Sequence, residues 1–356
     1  MKAIILAAGQ GTRLRPVTLT MPKPLVPVAN KALIVYAVEM LRDGGLHDIG
    51  IVVNNLRSPI CTHLGDGKAH GVNIQYITQK EQLGLAHAVS VCREFVGEEP
   101  FGLFLGDNIF HDKMGDLIRN FSATSYEAAV ALGEVADPTR FGIAEIQDNK
   151  IVRVVEKPKV PPSNLAISGV YLFRPSIFHA IANIQPSWRN ELEITDAIQY
   201  LITQGSAVQA YRIDGWWIDA GKPDAIINAN QFVLGDLPFT PAPEGDHIVN
   251  SDVSHRVILG EGTTVTNSVI RGPVILGTNV IVKDSYIGPY TSIGNNCVIE
   301  QSEIDASIVM KDCTIRAISG RIDSSLVADN SQVISSMQKL PAARRFVLAE
   351  NSFVQL

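Results

Sequence analysis

The chain has 356 residues, 46% hydrophobic and 19% charged, a globular composition long enough for two domains. Its 30 Lys and Arg against 36 Asp and Glu leave a net charge of −6, without the basic excess that general nucleic-acid binding needs. Cys61, Cys92, Cys297 and Cys313 form no Cys-x-x-Cys pair, the histidines show no metal-ligand spacing, and no apolar run approaches a membrane span. Reduced thiols in a cytoplasmic protein are therefore expected, with neither nucleic acid nor membrane as partner.

The first apolar run, residues 3–8, reads as a buried strand opening into Gly9-Gln10-Gly11-Thr12-Arg13-Leu14-Arg15-Pro16, with Lys23 within one loop's reach. Glycines let backbone amides close around a polyphosphate, which guanidinium and ammonium groups neutralise. A nucleotide is the expected ligand, although Gly9 and Gly11 alone would also suit a tight strand-to-helix turn. The pattern is not a P-loop, which ends in Gly-Lys-Ser/Thr. Nor is it the dinucleotide motif, which needs glycine where Leu14 stands.

Further strands are predicted at 49–53, 74–77, 101–105, 128–132 and 151–155, alternating with helices such as 32–42 and 84–95. This rhythm predicts an α/β domain with a mostly parallel sheet, whose ligands bind beyond the carboxyl ends of the strands. Motifs fall at those ends. After 74–77 comes Gln79, whose amide offers the donor and acceptor that complement a pyrimidine edge, and then Gly84, where a base can lie near the backbone. Asp107 follows Leu105-Gly106, and Asp219 follows Trp217-Ile218. Two carboxylates at separate strand ends are a minimal protein set for Mg²⁺, although each alone would serve as a helix cap or turn former. Glu156-Lys157 adds a carboxylate for sugar hydroxyls and a third cation, or else an exposed ion pair. No Ser/His/Asp set and no activated cysteine is evident; an ionised phosphate oxygen as nucleophile would need none.

Composition changes at the proline-rich stretch 237–245, which reads as a linker. Beyond it a six-residue rhythm takes over: Leu276-Gly277-x-x-Val280, then an aliphatic residue every six positions at Ile287-Gly288, Ile293-Gly294 and Ile299-Glu300. Such a repeat stacks into a β-helical solenoid with an aliphatic ladder as its core. The particular hexapeptide resembles that of the left-handed parallel β-helix. Residues 337–356 break the rhythm and read as a C-terminal cap or returning strand.

Taken in order, Leu6 to Pro16, Lys23-Pro24, Gly84-Leu85-Ala86-His87-Ala88, Leu105-Gly106-Asp107-Asn108, Phe141-Gly142, Glu156-Lys157-Pro158, Glu191 to Asp196 and Trp217 to Gly221 resemble the sugar-1-phosphate nucleotidyltransferase family. Within it, the whole chain is most similar to the long-form glucose-1-phosphate thymidylyltransferases. The resemblance implies a Rossmann-like catalytic domain over 1–236, the linker at 237–245 and a left-handed β-helix over 246–336. It implies a homo-oligomer that uses dTTP, glucose 1-phosphate and Mg²⁺. By the same resemblance Arg13, Lys23, Lys157 and Asp107 carry the chemistry, while Leu6, Gly9, Gly11, Thr12, Arg13, Gln79 and Gly84 hold the nucleotide. Asn108, Gly142, Glu156, Lys157, Gly169 and Trp217 surround the sugar phosphate, and Asp107 and Asp219 hold the metal. Leu85 favours thymidylyl over uridylyl transfer. Lys23-Pro24-Leu25-Val26-Pro27 is similar to mannose-1-phosphate guanylyltransferases and keeps GTP open, as UTP also remains. A β-helical acyltransferase is the other-class alternative; its usual histidine base has no counterpart among the clear hexads, since His247 and His255 precede them.

Overall fold

The structure, a computed structural model, describes residues 1–112, 114–335 and 351–354, so most of the cap expected at 337–356 lies outside the described residues. The chain forms two compact units. One comprises Met1–Gln10, Pro22–Leu25 and Leu33–Asp219; the other comprises Gly11–Met21, Val26–Ala32 and Ala220–Leu356.

The first unit is built on a nine-stranded sheet. From one edge its strands are Asn73–Thr78, Asp48–Val53, Lys2–Leu6, Phe101–Leu105, Leu165–Phe173, Ala128–Glu134, Val208–Arg212, Lys150–Glu156 and Gly142–Gln147. Seven of them run in one direction; Leu165–Phe173 and Lys150–Glu156 are reversed. The sheet is thus mostly parallel, as the alternation of runs predicts. Its central strands are largely apolar, as strands buried on both faces are, and Ala3, Ile4, Ile5, Phe101 and Leu103 are fully buried. Helix Leu33–Asp43 matches expectation to within a residue. The predicted helix 84–95 is instead two short ones, Leu85–Ser90 and Arg93–Val96. Between them the Ser90 hydroxyl donates to the His87 carbonyl, and the Cys92 amide donates to Val89, so i−3 bonds tighten and end the first helix.

The second unit carries three parallel sheets of six, five and five short strands that wind as a β-helix, the architecture the hexads predict. Each side stacks like on like: Val265, Val282, Ile299 and Ile315 lie in register on one side, and Ile270, Ile287 and Ile304 on another, all buried. A second ladder is polar. Ser251, Ser268 and Ser285 each accept the backbone amide of the serine one coil on, Ser268, Ser285 and Ser302, at 3.0, 3.1 and 3.2 Å. The residue before each of these serines, Asn250, Asn267, Asp284 and Gln301, has positive φ, and at three of the four corners the short Asn or Asp side chain is tolerant of that conformation. Helix Pro223–Gly235 is in this unit, and the Arg256 guanidinium caps its end by donating to the Leu234 and Gly235 carbonyls and to the Leu237 carbonyl just beyond. Residues 237–245 contain neither helix nor strand.

Candidate active site

Three central strands of the first unit end side by side. Leu6 pairs with Leu105 and with Val52, and the Gly106 amide donates back to the Leu6 carbonyl at 3.0 Å. A side chain on Gly106 would lie 3.1 Å from that carbonyl, so glycine permits the turn that delivers Asp107. Asp219 arrives from far along the sequence: strand Trp217–Asp219 runs antiparallel to Asn108–Phe110, placing Asp219 opposite Asn108. Lys23, 7% exposed, is hydrogen-bonded to Asp107 Oδ2 and lies 3.6 Å from Asp219 Oδ1. One ammonium therefore bridges the two carboxylates. Asn108 locks the arrangement, donating to Asp107 Oδ1 at 2.9 Å and accepting the Trp217 indole N–H at 2.7 Å.

A second group gathers where Glu156 pairs with Gly142. Glu156 accepts the Thr195 hydroxyl at 3.1 Å and lies 3.4 Å from Lys157 Nζ and 3.6 Å from Arg189. A Cβ on Gly142 would sit 2.6 Å from the Thr195 methyl, so this glycine lets Thr195 reach Glu156. Lys157 has φ of 42°, an unusual conformation for a lysine, with its amide held by the Phe141 carbonyl. The Phe141 ring meets Trp217 edge-on at 5.6 Å, joining this group to the first. Gly169 has φ of 90° where the pairing of Leu165–Phe173 with its neighbour shifts register, a bulge packed on Leu105.

Gln79 is buried, with its amide nitrogen 3.1 Å from His87 Nδ1. Gly84, at φ of 108°, lies against the backbone of Leu192, where a Cβ would come within 2.5 Å of the carbonyl. The Leu192 amide donates to Leu83, and Ala86 donates to the Leu192 carbonyl. The first reason for glycine here is therefore this backbone contact, which sequence reasoning did not contain. It also missed two linking side chains. Gln82 donates to the Ala8 carbonyl at 2.7 Å, and Arg189 contacts Glu156, Glu191 and Glu193 together. The Glu191-x-Glu193 spacing was the available signal for an arginine clamp. Burial pushes the Glu193 carboxyl up, against the Ser187 hydrogen bond that lowers it, and burial with the Glu156 charge pushes Asp196 up.

Gly11, Thr12 and Arg13 belong to the second unit. Gly11 has φ of 62° and opens a 3₁₀ turn, Thr12–Leu14, anchored by buried Leu14 and by the Thr18 hydroxyl on the Gly11 carbonyl at 2.8 Å. Thr12 and Arg13 point to solvent. Among the described residues, nothing lies within 4 Å of where a Cβ on Gly9 would stand, so their packing does not demand glycine there. Thus Lys23, Asp107, Asn108, Trp217 and Asp219 come together. Gly142, Glu156 and Lys157 adjoin them through Phe141, and Gln79 and Gly84 hold a separate corner linked through Leu192 and Arg189.

Cations beside carboxylates at strand ends, with a glycine-rich loop after the first strand, suit the handling of phosphoryl groups. The nucleotidyl transferase family model matches residues 2–235. Over its whole length the chain is 45% identical to a low-salt glycan biosynthesis nucleotidyltransferase of Haloferax volcanii, covering 100% of both. It is 44% identical to a glucose-1-phosphate thymidylyltransferase of Streptomyces antibioticus, covering 100% of this chain and 99% of that one. A solved UDP-glucose pyrophosphorylase in complex with UDP-glucose superposes with a TM-score of 0.57 at 29% identity, over 66% of this chain and 99% of that chain. The chain belongs to the nucleotidyl transferase family, among the sugar-1-phosphate nucleotidyltransferases.

Proposed function

We propose that the chain transfers a thymidylyl group from dTTP to glucose 1-phosphate, giving dTDP-glucose and pyrophosphate, with Mg²⁺ as its metal. The observation that carries this reading is Lys23 held between Asp107 and Asp219. Two carboxylates and no soft ligand suit a hard cation, and among the described residues no group of three or more His, Cys, Asp and Glu forms a metal cage. Phosphate oxygens and water would complete such a site. Bound there, Mg²⁺ would supply positive charge to the reacting phosphates.

An oxygen of the sugar phosphate attacks the α-phosphorus of the nucleotide. The bond from that phosphorus to the oxygen bridging the β-phosphate breaks, and pyrophosphate leaves with the electron pair. The attacking oxygen is already ionised at neutral pH, so no general base is needed. The protein's task is to bring two anions together in line. Arg13, Lys23 and Lys157 oppose their repulsion; Leu6, Gly9, Gly11 and Thr12 receive the nucleotide, with the open space at Gly9 left for phosphate. Gln79, backed by His87, and Gly84 meet the base, while Asn108, Gly142, Glu156, Gly169 and Trp217 meet the sugar phosphate.

Pyrophosphate release from a matrix of nucleoside triphosphates and sugar 1-phosphates tests the reading. The highest kcat/KM is expected for dTTP with glucose 1-phosphate, and UTP should follow closely because it differs only in a methyl and a 2′-hydroxyl. Preference for GTP would overturn the thymidylyl assignment in favour of the Lys23-Pro24 signal. Acetyl transfer from acetyl-CoA would give the β-helix a catalytic role.

A further inference from the structure

Asn230 is fully buried in the middle of helix Pro223–Gly235, a position where leucine or alanine would favour the helix and avoid desolvation. Its carboxamide is used on both sides. Oδ1 accepts the Ala29 amide and the Ser292 hydroxyl, each at 2.8 Å, and Nδ2 donates to the Tyr290 carbonyl at 2.9 Å. One side chain thus fastens three pieces of the second unit: the helix, the hairpin of Pro27–Val28 with Lys31–Ala32, and the β-helical strand Thr291–Ile293 with the residue before it. Asn30 reinforces the junction by donating to the Ile293 carbonyl at 2.7 Å. Ala29 and Asn30 both have positive φ, so the hairpin turn is tight and its amides have fixed directions.

The chain connections give this junction its meaning. Lys23 and Asp219 lie 3.6 Å apart, and the chain leaves Lys23 directly into the hairpin and leaves Asp219 directly into the helix. Both paths converge on Asn230, where Ala29, six residues after Lys23, bonds to a residue eleven after Asp219. The loop segment Gly11–Met21 also belongs to the unit that contains the β-helix. We infer that Asn230 is a positioning residue through which the β-helix sets the affinity of the nucleotide loop. This rests on the assignment of Arg13 and Lys23 to the nucleotide phosphates.

Full-length Asn230→Ala, Asn30→Gly and Ser302→Ala proteins would be compared with the unaltered chain. Steady-state kinetics with dTTP and glucose 1-phosphate, dTTP affinity by calorimetry without sugar phosphate, and hydrogen exchange over 26–32 would be measured. Asn230→Ala should raise both KM and Kd for dTTP about tenfold, the scale of one lost buried hydrogen bond, leave the KM for glucose 1-phosphate unchanged and speed exchange at Ala29. Asn30→Gly, which suits the positive φ, should move dTTP binding the same way by about threefold. Ser302→Ala removes the hydroxyl that accepts the Ile318 amide and donates to the Glu300 carbonyl, a rung of the polar ladder elsewhere, and should lower the melting temperature without changing dTTP affinity. Unchanged dTTP affinity in a folded Asn230→Ala protein would overturn the inference, as would an equal loss in Ser302→Ala. Should Asn230→Ala not fold, Asn30→Gly decides by the same criterion. An unaltered chain that neither binds nor turns over dTTP would sink the functional reading, and the inference with it; binding that is equal in all four proteins would sink the inference alone.

Discussion

In the β-helix every coil meets the same requirement, and neighbouring coils meet it with the same residue types: Val265, Val282, Ile299 and Ile315 inward, serines at the corner, Asn, Asp or Gln before them. In the sheet unit no two strand ends are alike. Leu6 leads to glycines, Thr78 to Gln79, Leu105 to Asp107, and Glu156 itself ends a strand. A repeated residue shares its load with neighbours above and below, whereas a residue that occurs once at a strand end has no substitute. Damage should accordingly appear as lost stability in one region and lost chemistry in the other.

The sharpest way to break that contrast is at the paired carboxylates. Asp107→Asn and Asp219→Asn should each reduce kcat by roughly a hundred- to a thousandfold, with circular dichroism and melting unchanged; near-normal Mg²⁺-dependent turnover in either would remove them from the site. Ile299→Ala is the counterpart in the solenoid. It should cost about 2–5 kcal/mol in chemical denaturation yet leave kcat/KM of the folded protein intact, because the cavity lies within the aliphatic ladder. A kinetic defect there, at full folding, would mean that the two regions are not divided in this way.

Two smaller effects sharpen the picture. Thr291 is fully buried with no hydrogen-bond partner for its hydroxyl among the described residues, and it stacks on Val274. Thr291→Val should therefore stabilise by about 1 kcal/mol, measurable as a shifted urea midpoint. Asp196 carries a carboxyl raised by burial and by the Glu156 charge. A pKa above its unfolded value means that the folded chain holds the proton more tightly, so this contribution is present at low pH and fades as pH rises through the raised value. Asp196→Asn should raise the melting temperature at pH 7 by about 1–2 °C, and the difference should vanish near pH 3. A variant that is less stable at both pH values would show that Asp196 is needed as a carboxylate.

Local features were legible in the sequence because they depend on neighbours along the chain: the glycine-rich loop, the acidic strand ends and the hexads. Strand boundaries fell within a residue or two, since buried apolar runs end where polar turn residues begin. What escaped depends on pairing over long separations. Nothing near Asp219 announces that its strand lies against Asn108–Phe110, nor that Leu192 packs on Gly84. Asn230 and Arg189 look like ordinary helix and loop residues until the sheet topology and the coil register bring their partners to them. The helix 84–95 failed for a subtler reason: apolar periodicity continued through 91–92, while a serine hydroxyl and an i−3 amide had already closed the turn.

The chain passes between its two compact units five times, at 10–11, 21–22, 25–26, 32–33 and 219–220. A boundary crossed once is a natural seam for gene fusion: a module can be appended, exchanged or lost there by a single recombination event. Here a break after Asp219 would leave 11–21 and 26–32 with the half whose structural companions had been removed. Recombination at that point would have to supply a β-helix already matched to those two short segments, and the grafts most apt to succeed carry the amino-terminal loop and the solenoid from the same parent.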